Sequence, residues 1–400
     1  MKPIVNIFFE LLQIAVGNRQ DLTELPSEKG WLLLFELCKR HSLLGVAFAG
    51  IKDLKSAHGD DEGWLLPLVK YKQWLGVASK IQQKNLMMLD DCEKVCNELT
   101  NKGFAICIIK GQSNIANYIR KGHDEIFPNC LGMLRSAGDI DILARNKSQI
   151  DKISLPIKFC IDDSLQQGKK THVTYHHTDL FRIFSYHNKI KSLELHYRAS
   201  YLCSPIRNKR LQKWLEANMP FDKNSVQYGE IVLPTPPVSY DIIYQLLHIY
   251  KHLFESGIGL RQLMDYYFVL SRWNTENRDS IIELKRDVYK VLCGFGMGKF
   301  VSAIMWIMQK VFAMPSDLLI CTPNEKEGRY LLKQILIGGN FGHYDKHLKK
   351  DKGRGTLSHA WIKSMHNIRL VFHYPEEVLW EPFFRLFHFI WRSLQLWRFE

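Results

Sequence analysis

A chain of 400 residues with 54 basic against 41 acidic side chains carries a net charge of +13, which suits polyanionic partners: nucleotides, nucleic acid or an anionic membrane surface. Its 46% hydrophobic and 24% charged content is globular, with material for two or three structural units, and excludes collagen-like, coiled-coil and disordered classes. Nine scattered cysteines without paired C-x₂-C spacing exclude a zinc ribbon and read as free thiols of a reducing compartment.

In chain order, residues 1–98 read as helical, with apolar positions recurring every three or four residues in WLLLFELCKRHSLLGVAFAGI and in WLLPLVKYKQWLGVASKIQQKNLMMLDDCEKVCNEL. The N-terminus MKPIVNIFFELLQIAVGNRQ has Glu10 inside its apolar stretch, so it reads as an amphipathic first helix rather than a signal sequence. No apolar run reaches the ~18–20 residues of a membrane span, and the expected compartment is cytoplasmic. The pattern changes at Gly103. FAICIIK (104–110) is a short β-branched run suited to a buried strand, KGQS (110–113) turns, and NIANYIR (114–120) is expected to form a short helix. A polar loop leads to RSAGDIDILARN (135–146). Further strand-like pieces are HVTYH (172–176), LFRIFSYH (180–187) and SLELHYR (192–198), and the proline-rich VLPTPPVSY (232–240) marks a boundary. Beyond it the pattern is helical to the end, interrupted at GGNFGHYDKHLKKDKGRGT (338–356), a loop without the G-K-[ST] of a phosphate-binding loop. The expected plan is α+β: an N-terminal helical region (1–98), a small mixed-sheet core (99–235) and a C-terminal helical domain (236–400).

In a strand, side chains at i and i+2 share a face, so Asp139 and Asp141 project together while Ile140 and Ile142 enter the core. Two carboxylates this close repel unless a cation lies between them, and Mg²⁺ (or Mn²⁺), hard and usually shared with substrate phosphates, is the natural occupant. The plainer reading is a solvated edge strand carrying two acids. SLELHYR adds a third acid by the same alternation, with Leu193, Leu195 and Tyr197 on one face and Glu194, His196 and Arg198 on the other. Glu194 presented toward the aspartates would be a further ligand or a base for an acceptor hydroxyl, and His196 would tune it or touch a phosphate.

Together IIKGQS, RSAGDIDIL and LELHYR resemble the nucleotidyltransferases of the DNA polymerase β superfamily, most closely the bacterial group called uncharacterised nucleotidyltransferases. That superfamily has a strand, a G-[GS] turn and helix, a [DE]-h-[DE] strand and a third acid on a later strand. The resemblance implies that Gly111 and Ser113 hold a nucleoside triphosphate, that Asp139 and Asp141 bind the metal, and that Glu194 completes the catalytic set. Lys110 and Arg135 match basic positions flanking these motifs. The implied reaction moves a nucleoside monophosphate to an acceptor hydroxyl on a small molecule or a protein. A catalytically silent nucleotide- or partner-binding protein on the same fold is the alternative.

Several further features have a functional and a plain reading. His248 and His252 share a helical face, as do Arg261 and Asp265. His252, Arg261 and Asp265 either wall a pocket or are an ion pair and spacers, the latter being favoured. H-I-Y-K-H lacks the glutamate of a zinc-protease helix. His172, His176, His177 and His187 read as structural. Lys346, Lys349, Lys350, Lys352 and Arg354 either steer anions or form a solvated charge run. In the aromatic C-terminus, Phe383, Phe387, Ile390, Leu394 and Trp397 trace a stripe expected to dock on the protein's own helices, with peripheral membrane contact as the alternative. No recognition motif supports nucleic acid as a partner.

Overall fold

Pro3 opens α1 (Pro3–Ala15), where its missing N–H costs nothing, and Phe8, Phe9, Leu11, Leu12 and Ile14 are all buried. The computed structural model describes residues 3–58, 66–120, 123, 126–146, 154–166, 173–180, 193–342, 344, 364–365 and 367–399. The chain divides into two compact units, both assembled from discontinuous segments.

The first unit comprises 1–85, 115–136 and 249–369. It holds α1, α2 (Glu28–Arg40), α3 (Leu44–His58) and the start of α4 (Leu68–Asn101). Ser27 caps α2 by accepting the Gly30 N–H, with Glu28 in the first turn and Lys39 and Arg40 in the last, each sign matching the helix dipole. Later segments add α8 (Leu260–Glu276), α9 (Ile281–Gly294), α10 (Gly298–Phe312) and α11 (Glu325–Gly338). Most residues of α8 and α10 are buried, so these two helices form the centre of this unit. Gly132 lies so close to the Ile115 carbonyl that an added Cβ would clash with backbone.

The second unit comprises 86–114, 137–248 and 370–400. Its sheet has the order β1-β2-β4-β3, with β1 Phe104–Ile108, β2 Ile140–Asn146, β3 His177–Leu180 and β4 Leu193–His196. β1 runs antiparallel to β2, β2 parallel to β4, and β3 antiparallel to β4. Ile140, Ile142, Leu193, Leu195 and Leu180 are fully or almost fully buried on one face. Helix α5 (Ser154–Gln166) packs against β2 and β3, and its Ile157 and Ile161 cluster with Val173 and Tyr197. α6 (Pro205–Ala217) follows, then a hairpin of β5 (Ser225–Tyr228) and β6 (Ile231–Pro234). Gly229 makes its two-residue turn at φ 63°, a left-handed value that glycine adopts without strain. α7 (Val238–Glu255) starts in this unit, and α12 (Pro375–Phe399) belongs to it. The mixed α+β class matches the sequence reading.

Three details differ from that reading. NIANYIR does not form its own helix; the chain closes at once into a 3₁₀ helix over Gly111–Asn117, because the turn is pinned at both ends by buried hydrogen bonds described below. The proline-rich boundary is partly a strand, since Pro234 ends β6 at a ladder edge where its missing N–H is tolerated. The C-terminal stripe faces outward: Phe383, Phe387, Ile390 and Leu394 are exposed. The docked face of α12 is the neighbouring one, where Phe384 stacks on Tyr201 at 4.7 Å and Trp391 meets Tyr175 at 5.4 Å. LFRIFSYH beyond Leu180, His172, His187, the 346–354 lysines and arginine, and the Trp397 side chain lie outside the described residues. Among the described residues, no helix is long and apolar enough to cross a membrane.

Gly132→Ala forces the backbone at Ile115 to move. The expected loss is about 2 kcal/mol of unfolding free energy, within the usual range for overpacking a tight site. Urea unfolding against the wild type measures it.

Candidate functional site

The site is built by alternation along three strands. On β4, Leu193 and Leu195 face the core, so Glu194 and His196 occupy the other face. The parallel register sets Asp141 beside Glu194, and the antiparallel register sets Asp179 beside Glu194 from the other side. Three carboxylates therefore stand in one row across β2, β4 and β3, with His177 and His196 one step along. Like charges directly opposite destabilise a sheet unless cations separate them.

One cation and two imidazoles stand among them. Lys110, just past the end of β1, places Nζ 2.7 Å from Asp141 Oδ1. His196 Nε2 donates to the same oxygen at 2.9 Å and lies 3.2 Å from Glu194 Oε2, so one ring nitrogen serves two acids. His177 Nδ1 approaches Glu194 Oε2 at 3.6 Å. Burial by itself raises the carboxyl of Asp141; Lys110 and the His196 hydrogen bond outweigh it, so its pKa lies below the ordinary value. Glu194 follows the same logic: burial raises it, but His196 and His177, with Lys110, bring it far down. Both acids stay ionised. Ligand atoms of Asp141, Glu194 and His196 lie within 4.8 Å of one another, and the same holds for His177, Asp179 and Glu194.

Asp139 is exposed and sits one residue before β2, which begins at Ile140. The strand reading therefore placed it slightly too deep: ladder pairing starts with Ile140 against Leu193. Among the described residues it stands outside the convergent groups.

The KGQS turn is brought to this strand despite its distance in sequence. Gly111 adopts φ 61°, and a Cβ there would approach the Asp139 carbonyl at 3.3 Å, so glycine serves both the turn and the close approach. Two bonds fix the turn in place. Tyr228 donates its hydroxyl to the Gln112 carbonyl at 2.9 Å, and the buried amides of Asn114 and Gln245 pair, Gln245 Nε2 donating at 2.5 Å. Ser113 is buried, and its Oγ has no hydrogen-bond partner among the described residues.

Arg135, His252, Arg261 and Asp265 belong to the first unit. There Arg135 forms a two-pronged pair with Asp265, Nε to Oδ1 at 2.5 Å and the second amino nitrogen to Oδ2 at 2.7 Å. Tyr118 donates to Oδ1 at 2.7 Å, and burial followed by Asp265 raises its phenol well above the usual range. Arg261 donates to the Ser136 carbonyl at 3.0 Å. His252 Nδ1 meets Ser256 Oγ at 2.9 Å. The Arg135 and Arg261 bonds tie 135–136 to α8.

Sequence reasoning weighed His176 and His177 and read them as structural; Asp179, Tyr228, Asn114 and Gln245 it passed over. H-T-D at 177–179 carries the same i, i+2 pattern as E-L-H and was legible in principle; the last three act through tertiary pairing and left no signal.

A model of a protein family described as uncharacterised nucleotidyltransferase matches residues 27–312, most of the chain. The protein belongs to that family. The match takes in the KGQS turn, the DID segment and LELH, and so covers the whole convergent site of this family member. No curated protein and no solved structure matches it significantly.

Two outcomes are expected. Asp265→Ala strands the buried Arg135 charge and costs about 3–5 kcal/mol in chemical unfolding, as for other broken buried pairs. For Glu194 the folded pKa is depressed, so its contribution to stability is full above the ordinary carboxyl value of about 4 and lost as pH falls below it. In metal-free protein, Glu194→Gln therefore flattens the fall of unfolding free energy between pH 5 and pH 3, measured by urea titration at each pH.

Proposed function

We propose that this protein is a metal-dependent nucleotidyltransferase of the polymerase β-like kind, moving a nucleoside monophosphate from a nucleoside triphosphate to an acceptor hydroxyl. The observation that carries the reading is the parallel register that sets Asp141 beside Glu194 on a face supplied with Lys110, inside a chain of this family.

The donor set fits a hard divalent ion. Asp141 and Glu194 offer ionised oxygens close together, Asp139 adds an exposed carboxylate two residues away, and the buried Ser113 hydroxyl lacks a partner among the described residues. In this reading Asp139 and Asp141 hold Mg²⁺ or Mn²⁺, with Glu194 completing the set, and the ion when bound offsets the charge of the triphosphate. Gly111 lets phosphate oxygens approach backbone N–H groups, and Ser113 Oγ is a donor for them. Lys110 exchanges Asp141 for phosphate, two anions competing for one ammonium. The depressed carboxyl of Glu194 makes it a poor proton acceptor, so its part is to hold negative charge and orient His196 through Nε2. The acceptor hydroxyl attacks the α-phosphorus in line and pyrophosphate leaves.

A silent binding protein is the second reading, favoured by one observation: Asp141 is already ion-paired with Lys110 and hydrogen-bonded to His196. Calorimetry with ATP, GTP, CTP and UTP, each with Mg²⁺, separates the two when followed by a turnover assay for released pyrophosphate. The enzyme reading expects metal-dependent nucleotide binding. In Asp139→Asn with Asp141→Asn, binding and turnover should fall at least about 100-fold, the upper end of what losing even an outer-shell metal partner costs. Full retained activity in that double variant overturns the assignment, and tight binding without pyrophosphate release selects the silent reading.

A further inference from the structure

Beside the carboxylate row stand three imidazoles, His177 and His196 on the same sheet face and His176 in the bend just before β3. His176, His177 and His196 each bring a ring nitrogen within 4.8 Å of the others. Their ring centroids are 4.2, 5.1 and 5.4 Å apart. His176 Nε2 and His177 Nδ1 face each other at 2.8 Å, where only one of the two can carry a proton. The outward nitrogen of His176 is held by Thr174 Oγ1 at 3.1 Å. An imidazole with one nitrogen oriented by a neighbour and the other aimed at its fellows is the usual posture of a metal ligand.

His196 gives the independent observation. It is 1% exposed; its Nε2 hydrogen is committed to the acids, so in the neutral ring Nδ1 carries a lone pair. That nitrogen is buried without a hydrogen-bond partner among the described residues. A buried lone pair beside two more imidazoles wants a cation, and the donor chemistry selects which one. Mg²⁺ takes oxygen; nitrogen-rich sites select borderline ions such as Zn²⁺. At Zn–N distances of about 2.0–2.1 Å, tetrahedral ligand nitrogens stand about 3.3 Å apart, so rings whose nitrogens lie within 4.8 Å of one another must draw together to close on one ion. The adjacent Glu194 carboxylate balances the charge. Among the described residues no cysteine joins these groups.

We propose that His176, His177 and His196 form a binding site for a divalent transition-metal ion of the zinc class, distinct in donor chemistry from the oxygen site at the aspartates. The ion would sit on the carboxylate face and lock β3 to β4 through side chains from both. The site stands whether or not the protein transfers nucleotides.

The test is metal binding by the full-length, metal-stripped protein without nucleotide. Co²⁺ is followed by visible absorption and Zn²⁺ by calorimetry. One equivalent of each should bind, with visible cobalt bands of nitrogen and oxygen ligation and no thiolate-to-cobalt absorption in the near ultraviolet. His176→Gln with His177→Gln should lower the affinity at least about 100-fold while keeping the wild-type circular dichroism in EDTA. If that pair does not fold, His176→Asn alone should lower it at least about tenfold. No binding by the wild type, unchanged affinity in a folded variant, or a thiolate band placing the ion on cysteines each overturns the proposal.

Discussion

Everything at the site depends on one pairing, β2 parallel to β4. Parallel neighbours need a long crossover, and here it spans the segment carrying α5 and β3. Once closed, the register leaves little freedom. Ile140, Ile142, Leu193 and Leu195 must all face the core, and a slip of one residue on either strand would bury an acid and expose a leucine or isoleucine. The apolar face thus fixes where Asp141 and Glu194 stand, although neither takes part in the core. Function at this site is positioned by burial elsewhere.

Placing carboxylates on a central strand has an electrostatic cost, and the sheet meets it with one lysine and two imidazoles. Lys110 and His196 converge on Asp141 at 2.7 and 2.9 Å, and His177 stands off Glu194. The cluster is stable as it stands, yet every one of these contacts is an exchangeable ion pair. An incoming phosphate competes for Lys110, and an incoming metal ion competes for the acids that Lys110 releases. Anion and metal would therefore each free a partner for the other, which is a physical reason for their binding to be mutually favourable.

Much of this was legible in the sequence, because alternation reports which residues share a face. D-I-D and L-E-L-H gave the acids and their inward-facing neighbours, and FAICI gave a strand. What alternation cannot report is strand order. That Asp179 joins the row from the far side, or that Gly111 packs on the Asp139 carbonyl, depends on which strands become neighbours. Nor does local pattern mark where a ladder begins, so Asp139 was read as a strand residue when pairing starts one position later. The hairpin at 225–234 was missed because short polar strands such as SVQY carry little hydrophobic signal, leaving only Gly229 to mark the turn.

Arg135 and Asp265 show how charge alone misleads where charge with geometry does not. Both were credible nucleotide contacts by residue type. In the first unit, however, the guanidinium fork meets both oxygens of Asp265, with Tyr118 filling one of them again. A group whose donors are already met by buried partners gains little from a ligand and loses much by leaving them. In the second unit Ser113 Oγ and His196 Nδ1 are buried with no hydrogen-bond partner among the described residues. Unspent capacity in a buried place is unfavourable for the fold alone. A ligand bonding to those two atoms would recover that cost, whereas the Arg135–Asp265 pair has little left to recover.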